Sequence, residues 1–86
     1  MHDSFLLHKL AASLQRICDE NRLGNIKELE IEVSADSHIT SEDLKEHLIE
    51  IIPLLISKET EIRIRKTALE TQNAIIYMLK GDSLEA

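Results

Sequence analysis

Residues 26–33 have the sequence IKELEIEV, in which apolar and charged side chains alternate. Successive side chains of a β-strand point to opposite faces, so Leu29, Ile31 and Val33 share one face and the glutamates at positions 28, 30 and 32 share the other. The pattern predicts a strand with one face in the core and one face in water, which is typical of a sheet covered on one side only.

Residues 4–23, which precede this strand, are expected to form an amphipathic helix. Their apolar side chains recur at helical spacing and form one stripe, at Leu7, Leu10, Leu14, Ile17 and Cys18. Asp3 or Ser4 offers a side-chain oxygen that would cap the first turn. Gly24 is expected to end the helix, because glycine adopts the left-handed conformation at little steric cost.

A second helix is expected to begin at Thr40 or Ser41, where a capping hydroxyl precedes two acidic residues. Its apolar side chains also form one stripe, at Leu44, Leu48, Ile51, Ile52 and Leu55. Pro53 lacks a backbone N–H group and clashes with the preceding turn, so the helix should end or kink just before it.

Two further strands are expected after the second helix. Residues 61–67 alternate, with Ile62 and Ile64 on one face and Arg63 and Arg65 on the other, whereas residues 74–79 are more continuously apolar. The order α-β-α-β-β predicts an α+β fold, within the broad α/β class, with two helices on one face of a three-stranded sheet. The glutamate row and the arginine row either pair across neighbouring strands or are solvated separately.

Length and composition restrict the class of function. The chain has room for a single domain, residues 1–86, with a formal net charge of -6 and only two aromatic residues, Phe5 and Tyr77. Neither nucleic acid nor an anionic membrane is an expected partner of so acidic a chain. The apolar run around residues 51–56 is too short to span a bilayer, and no signal-peptide pattern occurs, so a cytoplasmic location is expected.

Cys18 is the only cysteine, so the chain cannot form an internal disulfide bond. Its place on the apolar stripe predicts a small buried hydrophobic residue, and Asp19 and Glu20 beside it would disfavour a reactive thiolate. The sequence shows no catalytic triad, phosphate-binding glycine loop or paired-carboxylate motif. We therefore expect no enzymatic activity.

Several segments, taken in order, resemble the HypA family, the nickel metallochaperones of [NiFe]-hydrogenase maturation. The start Met1-His2-Asp3 is similar to the Met-His-Glu start of that family. Residues 37–44, SHITSEDL, are similar to its entry into the second helix, and the strands at 29–33 and 61–64 occur in the same order. The closing strand, followed by GDSL at 81–84, is also similar. The resemblance covers nearly the whole chain and lies in the order and spacing of these segments.

The resemblance implies that Ni(II) is bound at the N-terminus and that the partner is a HypB-like GTPase or a hydrogenase large subunit. The family carries a zinc domain with two Cys-x-x-Cys pairs between its last two strands. Here residues 68–73 join these strands directly, and a single cysteine cannot provide four thiolate ligands, so no zinc is expected.

Met1 and His2 also offer a metal chelate on chemical grounds alone. The terminal amine, the backbone nitrogen of His2 and its imidazole reach one metal ion through small rings, and Ni(II) or Cu(II) in square-planar geometry best displaces an amide proton. The resemblance implies that the backbone nitrogen of Asp3 completes the plane. The alternative is that His2 is a disordered terminal residue and that Asp3 only caps the helix.

The leading hypothesis is therefore a HypA-like nickel-binding accessory protein, with Met1, His2 and Asp3 as the metal site. His8, His38 and His47 are predicted to be surface residues outside that site. The rival hypothesis is a HypA-derived interaction module that binds a protein or forms a homodimer through an edge strand, without transferring metal. A third reading is an unrelated small α/β domain that binds no metal.

Overall fold

The computed structural model describes residues 4–68 and 74–84. In this part of the chain the elements are α1 (Ser4–Asn21), β1 (Leu23–Ser34), α2 (Ser41–Ile51), β2 (Glu61–Thr67) and β3 (Ile75–Ser83). The predicted order α-β-α-β-β and the α+β fold are confirmed. Neither of these two helices is long and apolar enough to cross a membrane.

β1 is the central strand of a mixed sheet with the order β2-β1-β3. It pairs with β2 in parallel and with β3 in antiparallel orientation. Parallel neighbours need a crossover connection, and the segment that contains α2 provides it. Both β2 and β3 are consequently edge strands of the described sheet.

The core lies between one face of this sheet and the two helices. Leu14 of α1, Leu48 of α2, and Leu29 and Ile31 of β1 are completely buried in one hydrophobic cluster. The alternation of β1 explains this placement, because its aliphatic residues face the helices while its glutamates face away. The glutamate face of the sheet is called the open face below.

The limits of α2 agree with the sequence prediction. Thr40 is the N-cap, and its Oγ1 accepts a hydrogen bond from the Asp43 backbone N–H at 3.1 Å. The helix ends at Ile51, with Ile52 as the C-cap and Pro53 directly beyond. Pro53 therefore follows a helix end and does not kink a longer helix.

The predicted role of Gly24 as the stop signal of α1 is wrong. The helix ends at Asn21, Arg22 adopts the left-handed conformation with a φ of 53°, and Gly24 belongs to β1 without a positive φ. The reason is a tertiary contact. The Leu84 backbone N–H donates to the Arg22 carbonyl at 2.8 Å, and a Cβ atom on Gly24 would lie 2.9 Å from the Leu84 Cδ2 atom.

The strands β1 and β3 are also longer than the predicted ranges of 26–33 and 74–79. β1 begins at Leu23, and β3 continues to Ser83 through Gly81. The two extensions pair with each other, since Leu23 lies opposite Ser83 and Ile26 lies opposite Gly81. The alternation of apolar and polar residues in the sequence does not reveal these extensions, because the pairing of β1 with β3 is interrupted by register shifts at three points.

Candidate functional site

The predicted metal site, Met1, His2 and Asp3, lies outside the described residues. The structure describes the helix that follows these three residues, α1, which begins at Ser4. Within residues 4–68 and 74–84, no group of three or more His, Cys, Asp or Glu residues is arranged to hold a metal ion.

The three remaining histidines are exposed, as the sequence predicts, and they lie on different elements. His8 is on α1, His38 is in the segment before α2, and His47 is on α2. The His47 ring nitrogen Nδ1 lies 2.8 Å from the Asp43 carbonyl oxygen, one helical turn earlier. This contact occupies one of the two imidazole nitrogens of His47 with the backbone of its own helix.

Cys18 is completely buried in the hydrophobic core, which confirms the sequence prediction. Burial raises the pKa of the Cys18 thiol, and the negative charge of Asp19 raises this pKa further. A neutral buried thiol is a poor nucleophile and a poor metal ligand, because both roles require the thiolate. Cys18 therefore acts as a packing residue.

A network of ion pairs covers the open face of the sheet, and we call it the charge ladder; it consists of Glu28, Glu30, Glu32, Arg63 and Arg65. The register places Glu30 opposite Arg63 and Glu32 opposite Arg65. The Arg63 guanidinium lies 3.3 Å from Glu28 and 3.5 Å from Glu30, and the Arg65 guanidinium lies 3.4 Å from Glu30 and 3.7 Å from Glu32. Of the two predicted alternatives, cross-strand pairing is therefore the one observed.

Arg63 also separates two like charges. Glu28 and Glu61 are register neighbours on β1 and β2, and Arg63 contacts both carboxylates, at 3.3 Å and 3.4 Å. The pKa of Arg63 is raised, first by its hydrogen bond to Glu28 and then by Glu30. Arg63 thus remains charged, and it holds three carboxylates that would otherwise repel one another.

The ladder continues onto β3 through an aromatic contact. The Arg65 guanidinium carbon lies 4.2 Å from the centre of the Tyr77 ring, which is the geometry of a cation–π interaction. Interaction with Tyr77 is the first cause of a raised Arg65 pKa, and the charges of Glu32 and Glu30 add to it. Side chains of all three strands therefore contribute to the polar cover of the open face.

The outer edge of β3 borders a groove of about 370 Å³ next to α1. The groove has an apolar lining from α1, from β3 and from the residue just before β3, at Leu6, Leu10, Ile17, Ala74 and Ile76. Lys9 and Arg16 of α1 add two positive charges to an otherwise acidic chain. This concave surface combines an apolar floor, basic side chains and a strand edge.

Sequence reasoning allowed for pairing through an edge strand without fixing the strand order, and it missed the groove beside β3. The sequence feature that could have indicated the groove is the width of the apolar face of α1. Leu6 adds an apolar side chain beside the stripe that was predicted from Leu7 onward. An apolar face wider than one stripe gives a helix more contact surface than a narrow sheet covers.

No protein-family model matches this chain, and the search of curated proteins finds no similar sequence.

Proposed function

We propose that this chain is a HypA-like nickel-binding accessory protein for the maturation of a nickel enzyme of the [NiFe]-hydrogenase type. Ni(II) would be held by Met1, His2 and Asp3. The observation that carries the proposal is the position of this tripeptide directly before α1, which begins at Ser4 and opens the α-β-α-β-β order.

The start of α1 at Ser4 suits the chemistry of a backbone nickel chelate. Ni(II) binding would displace the amide protons of His2 and Asp3. A helical hydrogen bond joins an N–H group to the carbonyl four residues earlier, and positions 2 and 3 precede the first residue of α1, Ser4. Metal binding would therefore break no hydrogen bond of α1.

Proton release gives this site a defined pH dependence. The amine, the imidazole and two amides must all be deprotonated in the complex, so affinity for Ni(II) should rise with pH. The proposal requires a free α-amine at Met1 and an unmodified imidazole at His2. In this reading the partner is a HypB-like GTPase or a hydrogenase large subunit.

The test is a Ni(II) titration of the untagged protein, followed by absorbance of the square-planar complex. Two variants should lose this absorbance: one with an extra residue before Met1, and His2→Ala. His38→Ala is the matched control, because His38 is an exposed histidine outside the chelate. Equal Ni(II) binding in all four proteins would refute the N-terminal site and indicate adventitious binding by surface histidines.

A second candidate function is an interaction module that does not transfer metal. The observation that favours it is the position of β3 at a sheet edge with Ile75 and Tyr77 exposed. An exposed strand edge is a template for pairing with another chain. If no sample binds Ni(II) while the protein associates with itself or a partner, this second function is the correct one.

A further inference from the structure

We infer that the groove between α1 and the beginning of β3 binds a small organic anion with an apolar tail, of the class of an acyl chain that ends in one carboxylate. The carboxylate binds at Ser13 of α1, between Lys9 and Arg16, and the tail lies between α1 and β3. This inference is independent of nickel binding at Met1.

The groove exists because the helices leave one side of the sheet partly uncovered. α1 packs against α2 and β1, and in the described part of the chain no Cα atom of α1 lies within 8 Å of one of β3. Ile76 and Leu79 of β3 face the core and are only half-buried. Their register partners on β1, Ile31 and Leu29, are completely buried. The space left at the start of β3, about 370 Å³, is within the range of small-molecule sites, about 300–1,000 Å³.

The wall that α1 contributes to the groove changes from apolar to polar across the helix. With 3.6 residues per turn, three apolar residues lie within about 40° of one another and form a row next to the buried stripe: Leu6, Leu10 and Ile17. The adjacent row, further from the core, is polar and consists of Lys9, Ser13 and Arg16. A ligand with an apolar tail and a charged head matches this order, with its tail toward the core and its head toward water.

The polar row is arranged around Ser13. Ser13 follows Lys9 by one helical turn and precedes Arg16 by another, so both long side chains can reach an anion at the Ser13 hydroxyl. Ser13 is half-buried, whereas Lys9 and Arg16 are exposed. Among the residues that the structure describes, none of these three side chains makes a hydrogen bond or an ion pair. Three donors are therefore available at one point.

The charge of this point selects the ligand. The chain has a formal net charge of -6, and Asp19 and Glu20 lie one turn beyond Arg16 on the same helix, yet neither pairs with Arg16. Uncompensated cations beside an apolar wall are complementary to an anion, which gains charge-assisted hydrogen bonds there. No other basic residue lines the described groove, so the site suits one anionic group rather than a row of carboxylates.

The first test compares three ligands by calorimetric titration of the full chain, with a chelator present to remove metal ions. Decanoate, below its micelle concentration, should bind with a stoichiometry of one. Decanol has the same tail without the charge, and butyrate has the same head with a much shorter tail. Both should bind at least about tenfold more weakly than decanoate, because each lacks one of the two interactions.

The second test places the head and the tail in the groove. Lys9→Glu and Arg16→Glu should each raise the dissociation constant of decanoate by about tenfold or more, because a carboxylate then faces the ligand carboxylate. Lys58→Glu is the matched control: it makes the same change in net charge at an exposed position in the turn before β2, and it should leave the constant unchanged. In nuclear magnetic resonance spectra, decanoate should shift the amide signals of Ser13 and Ile76.

The outcomes decide each part of the inference. Absence of decanoate binding overturns the site, and equal binding of decanol or butyrate overturns the pairing of an anionic head with an apolar tail. Equal weakening by all three charge reversals, or amide shifts confined to the open face, overturns the location. The ligand comparison needs no variant, and circular dichroism distinguishes lost binding from lost folding in the variants. Because a chelator is present throughout, these results are separate from those of the Ni(II) titration.

Discussion

Replacing Thr60 by valine should destabilise the protein more than replacing it by serine. Thr60 is almost completely buried, one residue before β2, and its Oγ1 makes two hydrogen bonds. The hydroxyl donates to the Ile26 carbonyl at 2.7 Å and accepts from the Ser57 backbone N–H at 3.0 Å. It therefore ties the α2–β2 connection to the central strand β1.

The expected magnitude follows from the groups left without a partner. Valine has nearly the shape of threonine, so packing is retained while both hydrogen bonds are lost. An unsatisfied buried polar group costs about 1–3 kcal/mol, and two affected groups, one of them only partly buried, give a loss of about 2–4 kcal/mol. A chain of 86 residues has a total stability of about 4–13 kcal/mol, so this loss is a large fraction of it.

Thr60→Ser is the control, because serine keeps the hydroxyl and removes one methyl group, at a cost of about 1 kcal/mol. Urea unfolding followed by far-UV circular dichroism measures both variants, and the Thr60→Val midpoint should fall by about 1 M or more. If Thr60→Val is as stable as Thr60→Ser, the hydroxyl does not hold the connection in place and the reasoning is refuted.

Three further results are expected. Arg63→Ala should lower the melting temperature by less than Thr60→Val does, and the loss should shrink in 1 M salt, because the repulsion between the remaining carboxylates is screened. Gly81→Ala should destabilise the protein more than Gly24→Ala. The new Cβ atom at position 81 would lie 3.1 Å from a rigid backbone carbonyl oxygen, whereas the one at position 24 would meet the end of a flexible leucine side chain. Equal melting temperatures of the two variants would contradict this. Cys18 should react with a thiol reagent only on unfolding. Burial raises the pKa of the Cys18 thiol in the folded state. The stability that Cys18 contributes is therefore present below the pKa of the unfolded thiol and is lost as the pH rises through the folded-state pKa. The unfolding free energies of the wild type and Cys18→Ala should consequently converge at alkaline pH.

The features that could be predicted from the sequence are those set by neighbouring residues. The alternation of β1 fixes which of its side chains face the core, and Thr40 caps α2 through a residue three positions away. Pro53 was expected to end or kink α2, which ends two residues before it. Opposite charges on two alternating strands made their pairing one of two expected arrangements, and the contact between Glu30 and Arg63 shows that it is the one formed. In each case the physical cause lies within one element or one strand pair.

The features that sequence reasoning missed depend on contacts between distant residues. Gly24 has the residue type of a helix stop, but its lack of a side chain serves the close approach of Leu84, sixty positions later. Thr60 is an ordinary polar residue in the sequence and becomes important only because the Ile26 carbonyl lies against its hydroxyl. The groove beside β3 could likewise not be predicted from the sequence, because it forms between α1 and a strand near the other end of the chain.

The charge ladder makes the open face of the sheet unfavourable for the stacking of a second protein layer. A second protein layer stacked on the open face would remove Glu30, Glu32 and both arginines from water, and the ion pairs would only partly offset this desolvation. The same acidic strand that builds the core on one face therefore gives the other face a charged surface, which disfavours the stacking of a second protein layer there.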